Sequence, residues 1–267
     1  MIITVYRKEA RKSIISGILP SILMGVTAIM MFAVWPTFKK EAADFQELLD
    51  APIYQAMLSK GAISAGIGTY EGFMGMELFT MLDFMYLFLP MFVGVNIISR
   101  EVDKKTLDIT LSYPISRWKI PLGRFATVNS YALTIPLFVF VPLSLGAIYL
   151  NEDTDHLALL IALLSKQILF FALTAISLLC ASLFLNSKSS YGAAGGIIIG
   201  SYILKSLGGL VYSLNLLRNL SLFHYLDGTS IWVTGTLPFD ELIIVLGVGI
   251  IALISSLMIF QHRELTY

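Results

Sequence analysis

The segment of the chain best suited to bind another molecule is a polar stretch enclosed by two long apolar ones. Residues 96–124 carry six basic and three acidic side chains, in a chain of 267 residues of which only 13% are charged. Leu107 and Leu111 lie four residues apart among good helix formers, and Pro114 ends the helical pattern. Leucines at this spacing share one face of a helix and form an apolar ridge that fits a groove on a partner. A solvated connecting loop is the alternative, but six apolar residues between positions 107 and 118 favour docking.

Four ionisable residues lie inside apolar segments, where a charge is costly and is therefore a functional candidate. Glu77 and Asp83 belong to the second apolar segment, Lys166 to the fourth and Lys205 to the fifth. Asp83 and Lys205 are the deepest, so they either pair across the helix bundle or leave Lys205 facing a water-filled path. A purely structural ion pair, or for Lys166 a side chain that extends to the membrane surface, is the simpler alternative.

The patterns of common enzyme and metal sites are missing from this sequence. It contains neither the G-x-x-x-x-G-K-[ST] loop that binds nucleotide phosphates nor the H-E-x-x-H zinc motif. The three histidines fall near three separate segment ends, and Cys180 stands alone in an apolar run. A net charge of zero gives no indication of nucleic-acid binding. We expect no catalytic residue, no metal site and no cofactor in this chain.

Hydropathy places these residues in an all-α integral membrane protein. The mean hydropathy is +0.80 and 57% of the residues are hydrophobic, far from the composition of soluble domains. A helix needs about 20 apolar residues to cross about 30 Å of hydrocarbon, and lone strands would leave backbone groups unpaired in lipid. The sequence predicts a single transmembrane domain over residues 1–267 with six spans, at about residues 14–35, 77–98, 125–150, 157–185, 191–212 and 239–260.

The distribution of lysine and arginine predicts the orientation of the spans. With the N-terminus inside, twelve of these residues lie on the cytoplasmic side and four outside. We therefore expect a multi-pass protein of the cytoplasmic membrane with both termini in the cytoplasm, and a cytoplasmic helix at residues 101–113 after the second span. The apolar stripe that starts at Ile3 and Tyr6, among basic residues, predicts an amphipathic N-terminal helix in contact with lipid at the inner membrane surface.

Proline and glycine positions predict further features of the spans and loops. Pro136 and Pro142 should kink the third span. Residues 213–238 mix aromatic and apolar side chains with two glycines, and are too short and interrupted for two full spans. They are expected to form two short re-entrant or interfacial helices before the sixth span. The fifth span has a face of small residues suited to close helix packing, formed by Gly192, Gly195, Gly196 and Gly200.

Three sequence patterns resemble those of ABC-2-type transporter permeases. The main one is Ser99-Arg-Glu101 followed by Thr106-Leu-Asp-Ile-Thr-Leu-Ser-Tyr-Pro-Ile-Ser-Arg117. Family members usually read glutamate, a glycine-threonine-leucine run, further leucines, and then serine-x-proline-x-serine-arginine; Lys105 stands where the family usually has glycine. The second pattern is Thr69-Tyr-Glu-Gly-Phe73, and the third is the ending Phe260-Gln-His-Arg-Glu-Leu265. Six spans with both termini inside also match the family fold.

The resemblance implies that this chain is the permease subunit of an ATP-driven exporter. The cytoplasmic helix would then couple to a separately encoded ABC ATPase, which carries the ATP and Mg²⁺, and two permeases would pair around a central path. Two alternatives are an ATPase-coupled component that matures or assembles an extracytoplasmic protein, and an intramembrane protein without ATP coupling. An importer permease fits less well, because Glu41-Ala-Ala is followed by Glu47 where the importer motif needs glycine. The residues expected at the ATPase contact are Glu101, Asp103, Thr106, Leu107, Leu111 and Arg117.

Overall fold

The structure, a computed structural model, describes residues 2–49, 66, 68–104, 116–210 and 219–263. Within these residues the chain is helical and has no strand, as the sequence predicts for a membrane domain. The helices, in chain order, are α1 (Ile2–Leu49), α2 (Tyr70–Asn96), α3 (Ser99–Asp103), α4 (Lys119–Ala132), α5 (Thr134–Leu150), α6 (His156–Phe184), α7 (Ser187–Leu210), α8 (Leu222–Tyr225), α9 (Gly228–Thr234) and α10 (Phe239–His262).

Five stretches of the described chain are helical, long enough and apolar enough to cross a membrane. They correspond to the first, second, third, fourth and sixth predicted spans. The fifth predicted span coincides with α7, a helix of 24 residues, whose glycines, serines and two lysines make it less apolar than the others. Six spans and cytoplasmic termini therefore stay predictions. The five stretches are Gly17–Glu41, Tyr70–Asn96, Lys119–Leu150, His156–Phe184 and Phe239–His262.

The first helix is longer than the predicted span. α1 runs without a break through 48 residues, so the predicted N-terminal interfacial helix is part of this helix and not a separate element. No glycine or proline precedes Gly17, and nothing in that stretch ends a helix. Gly17 itself packs against the ring of Tyr131, where an added Cβ would lie 2.6 Å from Cγ. This close approach holds α1 against α4.

The predicted third span consists of two helices that meet at Leu133. α4 ends at Ala132 and α5 begins at Thr134. Pro136 has no amide hydrogen, so the carbonyl oxygen of Ala132, four residues earlier, loses its helical partner. The interruption thus falls about one turn before this proline. Pro142 lies inside α5 and does not interrupt it.

α6 is the central helix of the bundle. Of its most apolar stretch 72% is buried, against 22% for α1 and for α10. α2 approaches α6 closely at Gly94, where an added Cβ would lie 2.8 Å from the carbonyl oxygen of Thr174. Phe170 of α6 meets Tyr86 of α2 edge to face, with ring centroids 5.3 Å apart. The outer faces of α1 and α10 expose large apolar side chains such as Leu23 (63% exposed), and in a membrane protein such faces contact lipid.

The two short helices predicted before the last span are α8 and α9. Phe223 of α8 and Trp232 of α9 are almost fully buried. α9 packs against both α2 and α6. The segment therefore forms part of the bundle core and is more than a connection at the surface.

Only one of the four glycines on the small-residue face of α7 is closely packed. At Gly195 an added Cβ would lie 3.2 Å from Sδ of Met91. A Cβ added at Gly192, Gly196 or Gly200 would meet no described atom within 4 Å. The part of this face formed by Gly192, Gly196 and Gly200 is therefore open, whereas Gly195 packs against α2.

Candidate functional site

Three of the four intramembrane ionisable residues meet at one point in the bundle. Asp83 of α2 accepts hydrogen bonds from two lysines, one through each carboxylate oxygen. Nζ of Lys166, on α6, lies 2.7 Å from Oδ1. Nζ of Lys205, on α7, lies 2.8 Å from Oδ2. One carboxylate thereby connects three long helices.

The two lysines differ in their exposure. The side chain of Lys166 is 2% exposed and that of Asp83 is 5% exposed, whereas Lys205 is 21% exposed. The interpretation in which Lys166 extends to the membrane surface is therefore wrong, because protein encloses its ammonium group and Asp83 is its counter-ion. Lys205 contacts Asp83 and also keeps access to the surface of the bundle.

A second carboxylate balances the charge at this point. Asp83 alone leaves one positive charge in excess over Lys166 and Lys205. Asp227, which precedes α9, attracts both ammonium groups electrostatically and accepts a hydrogen bond from Ser230 Oγ at 2.9 Å. Asp227 is half-buried, and its charge brings the total of the two acids and two lysines to zero, which lowers the cost of holding Lys166 and Lys205 in the bundle. These four ionisable residues are called the charge cluster below.

Two glycines bring α9 close enough for this interaction. A Cβ added at Gly228 would lie 2.2 Å from Cε1 of Phe79 and 3.1 Å from Cε of Lys166. On α2, a Cβ added at Gly75 would lie 2.1 Å from Cγ2 of Thr229, whose hydroxyl donates to the Gly75 carbonyl oxygen at 3.1 Å. Neither position has room for a side chain. The register between α2 and α9, and with it the place of the second carboxylate, depends on both glycines.

Polar side chains also join the helices at the end of the bundle that is predicted to face outward. Glu152 accepts hydrogen bonds from Trp35 Nε1 at 2.8 Å and from Lys39 Nζ at 2.7 Å. Burial by itself raises the pKa of Glu152, but these hydrogen bonds and the charge of Lys39 outweigh burial and lower the pKa below its usual value. Thr154, in the same loop, donates to Glu71 of α2 at 2.8 Å. The loop between α5 and α6 therefore fastens α1 to α2.

At the opposite end, acidic side chains fasten α3 to its neighbours. Glu101 forms an ion pair with Arg124 of α4, and Arg124 also donates to the carbonyl oxygen of Ile97 at 2.9 Å. Asp103 accepts a hydrogen bond from Ser187 at the start of α7. The sequence predicts Glu101 and Asp103 at the contact with a partner; in the structure their carboxylates hold α3 against α4 and α7.

Two arginines connect the same end to the last helix. Arg117 donates from Nη1 to the carbonyl oxygen of Arg263 at 3.2 Å. Arg263 in turn donates to the carbonyl oxygens of Ser182, at 2.9 Å, and of Leu183, near the end of α6. The last carbonyls of a helix have no partner within the helix, so a basic side chain stabilises them.

The remaining predicted site residues do not join either group. Glu77 is half-buried in α2 and forms no ion pair with a residue that the structure describes. Thr106, Leu107 and Leu111 lie outside the described residues. Within the described ranges, no three His, Cys, Asp or Glu side chains are placed to hold a metal ion. The charge cluster and the contacts of α3 are therefore the two candidate sites.

Sequence reasoning did not single out Asp227 or Arg124. Asp227 precedes Gly228 in a stretch predicted to form short helices, and an aspartate before a helix is a recognisable capping signal. Arg124 was visible only as one basic residue of the polar segment. In both cases the interacting residue is far away in the sequence, so no local signal identifies the contact.

The long apolar helices, the exposed apolar faces and the enclosed charges define a multi-pass membrane protein. The family model described as "ABC-2 family transporter protein" matches residues 3–265. The chain is also 25% identical over 223 residues to the "Uncharacterized membrane protein YdbK" of Bacillus subtilis (strain 168), an alignment that covers 79% of this chain and 90% of that protein. The chain therefore belongs to the ABC-2 transporter family, as its sequence patterns predict. Permeases of this family are membrane components of transporters and generally work with ABC ATPases.

Proposed function

We propose that this chain is the permease subunit of an ATP-driven exporter whose ATP hydrolysis takes place on a separate ABC ATPase. The observation that carries the proposal is the match of the ABC-2 family over nearly the whole chain. ATP and Mg²⁺ belong to the partner, because this sequence has no phosphate-binding loop of its own. Export, rather than import, follows from the resemblance of the polar segment to exporter permeases.

α3 is the start of the segment, residues 101–113, that we assign to ATPase coupling. Its attachment supports this role: Glu101 pairs with Arg124 of α4, and Asp103 bonds Ser187 of α7. A displacement of this segment by the ATPase would therefore also displace α2, α4 and α7. A loosely attached loop would move without them. Glu101 and Asp103 act as positioning residues. The contact with the ATPase itself is assigned to Thr106, Leu107, Leu111 and Arg117.

The charge cluster connects α2 and α7, the two long helices that α3 also adjoins. Asp83 lies on α2, which is followed directly by α3, and Lys205 lies on α7, which α3 also contacts. Lys166 is enclosed and stays with Asp83, whereas the more exposed Lys205 can exchange Asp83 for water. We assign the Asp83–Lys205 contact to one of the two states of the transport cycle, and its loss to the other.

A second permease, identical or different, is assigned to the free face of α7. Gly192, Gly196 and Gly200 recur every four residues, and none has a described atom within reach of an added Cβ. Ile203, further along α7, is 48% exposed. Small residues at this spacing let two helices approach closely in lipid. These observations support a pair of permeases that meet through α7.

Reconstitution with an ABC ATPase tests the proposed function. The permease and the ABC ATPases of the same genome would be co-expressed, purified in detergent and placed in lipid nanodiscs. ATP hydrolysis would then be measured with and without the permease. We expect one ATPase to form a complex of two ATPases and two permeases, with a hydrolysis rate that depends on the permease. Failure of every ABC ATPase to form such a complex would contradict the proposal and favour a membrane protein without ATP coupling.

A further inference from the structure

A cavity of about 300 Å³ lies between α1, α2 and α4, and no residue of the charge cluster lines it. Along α2 and into α3 its lining residues recur at intervals of three or four positions from Leu89 to Arg100. Across the cavity they recur in the same way from Arg124 to Ile135. From Leu89 to Asn96 the first stripe follows seven steps of α2, which is about 10 Å at the rise of an α-helix. The cavity is therefore a groove that runs along the spans.

The two ends of the groove differ in their chemistry. Leu89 and Ile135 line the deep end, whereas Arg100 and Arg124 line the end where the spans finish. Glu101 offsets the charge of Arg124 through their ion pair. Arg100 is exposed and forms no ion pair with a residue that the structure describes. The mouth of the groove thus has a net positive charge, while its depth is apolar.

The groove is reached from the side of the bundle. Its walls at Gly17 and Pro20 of α1, Val93 of α2 and Val128 of α4 are only half-buried. These positions belong to the membrane-spanning stretches. An apolar groove open at this depth faces acyl chains rather than water.

We propose that this groove binds an anionic phospholipid, with one acyl chain along the groove and the phosphate at Arg100. Arginine holds phosphate oxygens through parallel, charge-assisted hydrogen bonds, and basic residues beside a span favour anionic headgroups. A zwitterionic headgroup brings its own cation next to Arg100 and is a poorer ligand. The bound lipid contacts α1, α2 and α4 together, and so stabilises the end of the bundle that carries α3.

Thermal unfolding of the purified full-length protein in detergent tests this site. The probes are phosphatidylglycerol and phosphatidylcholine with the same acyl chains, and native mass spectrometry reports the bound lipid. We expect phosphatidylglycerol to raise the unfolding temperature more than phosphatidylcholine does. Arg100→Ala should weaken the binding of phosphatidylglycerol about fivefold. Lys188→Ala removes an exposed charge near the same end but outside the groove, and should leave binding unchanged.

Two further measurements separate the acyl chain from the headgroup. Val93→Phe narrows the groove and should reduce phosphatidylglycerol binding without removing a charge; if this variant does not fold, Val128→Phe on the facing helix replaces it. Glycerol phosphate, the headgroup without acyl chains, should not stabilise the protein. Equal stabilisation by the two phospholipids, stabilisation by glycerol phosphate alone, or an equal loss of binding in Lys188→Ala would overturn the proposal.

Discussion

The Nζ atom of Lys166 lies 2.7 Å from Oδ1 of Asp83, and their side chains are only 2% and 5% exposed. Such a pair adds little net stability over apolar side chains of the same volume, because both charges lose their hydration. Loss of one member is nevertheless costly, because the other member stays buried without a counter-ion. The stability of the bundle therefore depends on both residues at once.

Removal of the shared carboxylate should strongly destabilise the protein. Among the described residues, Asp83→Asn leaves Lys166 and Lys205 with Asp227 alone as a counter-ion, and we expect a loss of about 3–5 kcal/mol. In the double variant Asp83→Asn with Lys205→Met the charges balance again, so its loss should be smaller than the sum of the two single losses. Thermal unfolding in detergent measures all three variants. Additive losses would show that Asp83 and Lys205 do not interact.

The close contact between α9 and α2 should make Gly228 intolerant of any side chain. Gly228→Ala places a Cβ 2.2 Å from Cε1 of Phe79, so α9 must shift, at a cost of about 1–3 kcal/mol. The matched control is Gly247→Ala in α10, where an added Cβ meets no described atom within 4 Å and alanine is the better helix former. The unfolding temperature should fall in the first variant and hold or rise in the second. Equal effects in both would contradict the packing at α9.

The orientation of the spans can be tested with single cysteines in a Cys180→Ser background. Cys180 is the only cysteine of the sequence and is buried in α6. Its replacement by serine therefore leaves the introduced cysteine as the only thiol. Asp153→Cys, in the exposed loop between α5 and α6, should react with an impermeant thiol reagent added outside intact cells. Lys104→Cys, exposed at the end of α3, should react only after the membrane is opened. Labelling of position 104 from outside would reverse the predicted topology.

Local patterns in the sequence predict the positions of most of the helices. Apolar runs long enough to span give α2, α6 and α10, and the mixture of aromatic residues and glycines before Pro238 gives two short helices rather than a span. The sequence does not reveal the continuity of α1, because a change from basic to apolar residues resembles a boundary although no helix-ending residue lies there. The break at Leu133 follows from Pro136, but its position is visible only in the structure.

The charge cluster could be foreseen only in part. The sequence identifies Asp83, Lys166 and Lys205 as costly residues in lipid, but that both lysines meet the carboxylate depends on how α2, α6 and α7 rotate against one another. The close approach at Gly94 constrains the rotation of α2 against α6, and the close approach at Gly75 places α9, with Asp227 before it, against α2. Such contacts join residues far apart in the chain, and a single sequence does not record them.

The measurement that most directly tests ATPase coupling is the effect of two leucines on complex formation. Leu107→Asp with Leu111→Asp removes the apolar ridge of the polar segment. A buried leucine contributes about 1.5–3 kcal/mol, so losing both should weaken the complex with the ABC ATPase by at least about a hundredfold. The control is Lys188→Asp, which changes the net charge by the same amount at an exposed position outside the segment.

We would co-purify each variant with the ATPase and measure ATP hydrolysis in lipid nanodiscs, after checking by thermal unfolding that the permease is folded. The proposed function predicts a folded leucine variant that neither co-purifies with the ATPase nor stimulates it, and a Lys188→Asp control that does both. A leucine variant that retains the complex and normal stimulation would contradict the assignment of residues 101–113 to ATPase coupling.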